Sequence, residues 1–138
     1  MECAQDHRLT LPAHSLHLGQ IREFSRGVFC AYTINRRAVR QMVLAIDEAA
    51  ANVMEHAYPP GEKRDLDLSI SVLPDRVVIE LRDTGKQFNP CQCDPGQSRS
   101  RRRGYGLSLI RRIVDEINYQ RSKTDENVLT MVKHVETA

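Results

Sequence analysis

The chain has 138 residues, 15.8 kDa, 41% hydrophobic and 28% charged. That size fits one domain over residues 1–138, able to bury about two thirds of its unfolded surface. Twenty basic residues against eighteen acidic ones leave a net charge of +2, too balanced to point to nucleic acid as a direct partner. No apolar run nears the roughly 20 residues of a membrane span. Residues 1–12 carry acids and no secretory apolar block, so the expected compartment is the cytoplasm.

Residues 8–12 read as a short first strand. Ser15 predicts an N-cap. Leu18, Ile21, Phe24 or Ser25, Val28 and Tyr32 then recur at helical spacing, with Leu16 open as a further member. For Phe24, Val28 and Phe29 two readings stay open, core or dimer face. A second helix runs from about 35–37 to about 57, with Val39, Met42, Val43, Ile46, Ala50, Val53 and Ala57 as its buried stripe. Pro59, Pro60 and Gly61 end it.

Leu66, Leu68, Ile70 and Val72 alternate with Asp67, Ser69 and Ser71, the pattern of a half-buried strand. A turn at Pro74–Asp75 and a second strand over 77–81 complete a predicted hairpin. Residues 82–103 carry no helix or strand pattern, and a connection that long points to a functional loop or a disordered one. A third helix is predicted over about 105–116. Residues 117–121 and 128–134 form a closing hairpin across 122–127. The order predicts an α+β fold: a two-layer α/β sandwich whose mixed, mostly antiparallel sheet is covered on one face by about three helices.

Three segments carry chemistry. Glu48, Asn52 and His56 are spaced by four, so they share one helical face, and the alanines at 49, 50 and 51 allow close approach to it. Asn offers a hard oxygen to Mg²⁺, and Glu can orient or deprotonate a hydroxyl. A solvated polar face is the alternative reading. Asp83-Thr84-Gly85-Lys86-Gln87-Phe88 stands at a strand end, where Asp can accept from an exocyclic amine and Gly85 admits a flat ring. An ordinary strand-exit turn is the alternative, with Lys86 as loop surface and Phe88 as an anchoring aromatic. Gly104-Tyr105-Gly106-Leu107 precedes a helix, where exposed N–H groups favour phosphate. It matches neither the dinucleotide fingerprint nor the Walker loop. Together the three supply an adenine-to-phosphate contact set.

Arginines make up sixteen of the twenty basic residues, four of them within 99–103. Beside Gly104 they could grip phosphate bidentately or form a solvated loop. Cys91 and Cys93 form a CxC with no second pair, so free thiols are expected there rather than zinc.

Those three segments resemble the N box and the two glycine boxes of the GHKL ATPases, the Bergerat fold shared by gyrase, MutL and histidine kinases. The phrasing EAAANVMEHAY, RDTGKQFNP and GYGLSLIRRIVDEI is similar to the small stand-alone anti-sigma factor serine/threonine kinases of bacteria, over nearly the whole chain. The resemblance implies ATP and Mg²⁺ as cofactors. It implies Glu48 as general base or as the group that orients the attacking hydroxyl, Asn52 as Mg²⁺ ligand, His56 near the phosphates and Asp83 on the adenine amine. Gly85 would pack under the base, and Gly104, Gly106 and Leu107 would wrap the phosphates. Phe88 and Tyr105 are further candidates for nucleotide contact. Arg103, or Arg99, Arg101 or Arg102, would meet the γ-phosphate beside a lid at about 89–103. The implied substrate is a small anti-anti-sigma protein of STAS type, with a sigma factor or analogous regulator as competing partner and a homodimer as the assembly. A non-catalytic ATP-binding module that sequesters its partner is the alternative. A detached sensor-kinase domain is disfavoured, because no helix pair bears a phosphoacceptor His.

Overall fold

The computed structural model describes residues 4–56, 64–85 and 106–138. The chain forms β1 (Gln5–Pro12), a 3-10 turn (Ser15–His17), α1 (Leu18–Cys30), α2 (Arg36–His56), β2 (Asp65–Leu73) and β3 (Arg76–Asp83). It continues with α3 (Gly106–Ile113), β4 (Glu116–Arg121) and β5 (Asn127–His134). The strands make one five-stranded sheet in the order β1-β2-β3-β5-β4. All its pairings are antiparallel.

The period-2 pattern explains the sheet's two faces. Leu66, Leu68, Ile70 and Val72 of β2 are buried, as are Val77, Ile79 and Leu81 of β3 and Leu129 and Met131 of β5. Alternate residues such as Asp67, Ser69, Glu80 and Arg82 lie on the other, more open face. The helices cover the apolar face: α2 packs against β3, with α1 and α3 packed against α2. Val39, Met42, Val43, Ile46 and Ala50 of α2 join the core as the helical spacing predicts, and Val53 packs against it partly buried. Asn35 caps α2, its side-chain oxygen accepting the Ala38 N–H at 2.8 Å.

Several expectations shift. Strand β3 reaches Asp83, two residues into the stretch read as patternless. Helix α3 stops at Ile113, because Ile117 belongs to β4. Ser15 does not cap α1: a 3-10 turn intervenes, capped by His14, and Leu16 within it is 82% exposed. Ser25 rather than Phe24 takes the buried position on α1, its hydroxyl donating to the Ile21 carbonyl at 2.7 Å. Phe29 is fully buried and Val28 nearly so. They are core side chains, which removes them from a dimer face. Ala57 and the stop at residues 59–61 lie outside the described residues. Among the described residues no helix is long and apolar enough to cross a membrane.

Candidate functional site

The inward face of β3 runs Val77, Ile79, Leu81 and then Asp83, a carboxylate only 6% exposed where the pattern would supply an aliphatic residue. A buried polar group is costly unless it is hydrogen-bonded. Asp83 Oδ1 accepts the Gly85 N–H at 2.9 Å, closing the strand exit into an Asx-type turn. The same oxygen accepts from Asn127 Nδ2 at 2.9 Å. That amide nitrogen also donates to the Gly85 carbonyl at 3.1 Å. Arg121 Nη1 donates to Asn127 Oδ1 at 2.9 Å. From the β2 side, Arg64 Nη1 donates to the Thr84 carbonyl at 2.6 Å. Residues 83–85 are therefore held from both neighbouring strands. Among the described residues Asp83 Oδ2 takes no hydrogen bond.

On α2, Asn52 is 7% exposed and Glu48 half-buried, with Glu48 Oε2 shielded from solvent. A solvated polar face is thus overturned at Asn52. The flanking residues Ala45, Ala49, Ala50 and Ala51 are all buried, so close neighbours surround this part of the helix. His56 is the last residue of α2. Helix α3 starts at Gly106, directly after Tyr105, with Leu107 in its first turn. Phe88, Arg103, Gly104, Tyr105 and the expected lid at 89–103 lie outside the described residues, as do Cys91 and Cys93. Cys30 is a free, exposed thiol.

Strand register and tail contacts orient these pieces. Thr33 donates its N–H to the Thr137 carbonyl, and the Thr137 N–H reaches Pro74 in the β2–β3 turn. Helix α2 therefore starts at the β2–β3 turn end. Its 21 residues extend about 31 Å at 1.5 Å each, the length of the sheet, so Glu48 and Asn52 lie toward the other end. Asp83 is also at that end, since Asp67 near the start of β2 pairs with Arg82, and Asn127 pairs with Asp83. The last turn of α3 is tied to the far end of β5, where Lys133 Nζ donates to the Ile113 carbonyl at 2.7 Å. Helix α3 packs against α2.

Asn52 supplies one hard oxygen. Among the described residues no three of His, Cys, Asp or Glu gather as metal ligands. An amide oxygen is a donor of the hard type that Mg²⁺ takes together with phosphates and waters. A cavity of about 160 Å³ between α1 and α2 is lined by Arg22, Arg40, Leu44 and Asp47 among others, and by none of the expected site residues. Asn127 and Arg121 have no sequence signature. Asn127 stands beside a hairpin turn, where Asn is ordinary, and only its register opposite Asp83 gives it a role.

An α+β sandwich with a buried carboxylate at a strand end and a carboxylate–amide pair on the covering helix suits a nucleotide-binding ATPase domain. The chain belongs to the histidine kinase-like ATPase domain family, which matches residues 11–133. It is 31% identical over 98 residues to the serine/threonine-protein kinase BtrW of Bordetella bronchiseptica, covering 67% of this chain and 68% of that one. To the serine-protein kinase RsbW of Staphylococcus epidermidis it is 26% identical, across 98% of this chain and 91% of the relative. Among solved structures, the RsbU and RsbW domains of Rv1364c from Mycobacterium tuberculosis align with 97% of this chain at a TM-score of 0.66 and 15% identity. The match spans 33% of that longer chain. At such identity the likeness shows the fold alone.

Proposed function

We propose that this chain is an ATP-dependent protein serine/threonine kinase in a partner-switching system. It phosphorylates a small anti-anti-sigma protein of STAS type and, in its other state, sequesters a sigma factor or analogous regulator. The observation that carries the reading is the buried Asp83, anchored through Oδ1 with Oδ2 left for a ligand, at the sheet end toward which Glu48 and Asn52 also lie. Similarity to protein kinases along most of the chain supports the choice of phosphoryl transfer.

In this reading Asp83 Oδ2 accepts a hydrogen bond from the adenine amine, and Gly85 leaves room for the ring. Asn52 holds Mg²⁺ through its amide oxygen. When bound, Mg²⁺ supplies charge neutralisation along the phosphates. The first turn of α3 turns backbone N–H groups toward anionic oxygens. Glu48 accepts the proton of the acceptor hydroxyl as its oxygen bonds to the γ-phosphorus, and the bond from that phosphorus to the ADP oxygen breaks. Positioning and electrostatics carry this chemistry, so half-buried, pre-placed side chains suit it.

Transfer of label from γ-labelled ATP to a STAS-type acceptor tests the proposal, comparing the natural protein with Glu48→Gln. The expected result is transfer by the natural protein and a loss of about 10²–10⁴-fold in the variant, with nucleotide affinity retained. Unchanged transfer in the variant would remove Glu48 as the base. Nucleotide binding without transfer to any such acceptor would leave a partner-binding module.

A further inference from the structure

We infer that Asn127 and Arg121 form a positioning pair that fixes which oxygen of Asp83 faces a bound base, and so sets the preference for a purine bearing an exocyclic amine. The inference rests on the adenine reading of Asp83 given above.

Asn127 occupies an inward register of β5 whose next two inward positions are Leu129 and Met131. It is 2% exposed. An amide there is tolerated only when its polar atoms are bonded. Its nitrogen serves Asp83 Oδ1 and the Gly85 carbonyl, and its oxygen takes Arg121 Nη1. Turning the amide over would set its oxygen against two acceptors and its nitrogen against a guanidinium. The observed orientation is the one the surrounding chemistry allows.

Two donors, Gly85 N–H and Asn127 Nδ2, converge on Oδ1. They hold the carboxylate against rotation and leave Oδ2 as the acceptor in one direction. Arg121 is the far end of this chain, cross-strand from Asn127 in the β4–β5 ladder, with its side chain 29% exposed. The hairpin that carries both residues is pinned in turn: the Ser122 N–H reaches the Glu126 carbonyl at 2.7 Å, and Glu126 pairs with Arg82 at 3.0 Å. An acceptor held in a single direction rewards an amine and penalises a carbonyl oxygen at the same place on the base. A carboxylate free to turn would discriminate less, because water or its other oxygen could relieve the mismatch.

The test is the ratio of ATP to inosine triphosphate affinity, measured by calorimetry on the full chain. The two nucleotides differ in the exocyclic group, amine against carbonyl. Asn127→Leu keeps the branching at Cγ and removes both polar ends, and Arg121→Met removes the hold on the amide through a partly exposed side chain. Each is expected to narrow the ratio by at least about tenfold, chiefly through lost ATP affinity. A purely structural role would weaken both nucleotides alike, and an unchanged ratio in both variants would overturn the inference. Should Asn127→Leu not fold, Arg121→Met decides alone. Asp83→Asn separates the two levels. If it leaves the ratio unchanged, the adenine reading of Asp83 falls and the inference with it. If it abolishes the preference while the other two variants keep it, the positioning role alone fails.

Discussion

Replacing Asp83 with Asn separates the carboxylate's two jobs. Oδ1 anchors the strand exit, accepting from Gly85 N–H and Asn127 Nδ2, each at 2.9 Å. An Asn side chain keeps an oxygen at that place, and its two lone pairs can accept both donors. What the fold loses is the charge assistance of two hydrogen bonds, a cost of about 1–2 kcal/mol. Asp83→Ala instead strands the buried Gly85 N–H and one of the two Asn127 Nδ2 hydrogens, at roughly 1–3 kcal/mol each, and should cost about 2–6 kcal/mol. At the Oδ2 position the amide places a donor where an exocyclic amine would bring another. Losing one hydrogen bond to a charged group and facing donor with donor should weaken ATP binding by about 2–4 kcal/mol, roughly 30- to 1,000-fold. Urea unfolding and ATP calorimetry on natural, Asn and Ala proteins read both quantities. ATP binding by Asp83→Asn at the natural affinity would refute the base-reading role. Equal destabilisation by Asn and Ala would refute Oδ1 as the anchor.

Two further outcomes follow from other parts of the structure. Phe29 is fully buried, so Phe29→Ala should cost about 3–5 kcal/mol in denaturant unfolding. The loss should not depend on protein concentration, as it would if Phe29 packed against a second copy. Arg82 bridges Glu80 at 2.8 Å and Glu126 at 3.0 Å. The hydrogen bonds it donates to Glu80 first and Glu126 second raise its pKa above the ordinary arginine value. A raised pKa gives stability that is complete below the unfolded value and lost only as pH climbs through the folded one. Arg82→Met should therefore cost up to about 1 kcal/mol, alike at pH of about 8 and about 10. A cost that disappeared over that range would contradict the assignment.

Much of the fold is legible because its elements follow simple periods. Leu66, Leu68, Ile70 and Val72 alternate cleanly and all face the core. Met42 and Ile46 keep the helical stripe. Errors arise where one pattern runs into the next. Ile117 continues the spacing of Ile110 and Ile113, so the end of α3 looks longer than it is. Arg82 and Asp83 interrupt an apolar run, so β3 looks shorter, although Asp83 keeps the inward register. Ser25 reads as polar, yet it is buried by bonding the Ile21 carbonyl. Glu48, Asn52, Asp83 and Gly85 stand out because their spacing and strand-end position suggest chemistry. Asn127 and Arg121 do not, because their part depends on strand pairing between residues 44 positions apart in the case of Asp83 and Asn127. A local pattern carries no trace of that pairing.

In the proposed function this chain binds ATP through Mg²⁺ held at Asn52. Calorimetric titration with ATP, with and without Mg²⁺, on the natural protein and Asn52→Ala tests it most directly. Ala is a better helix former than Asn by about 0.5 kcal/mol, so α2 should persist in the variant. The expected result is saturable binding by the natural protein that weakens sharply without Mg²⁺, and an Asn52→Ala protein whose affinity is low and indifferent to Mg²⁺. No binding by the natural protein, or Mg²⁺-dependent binding of equal strength in the variant, would contradict it.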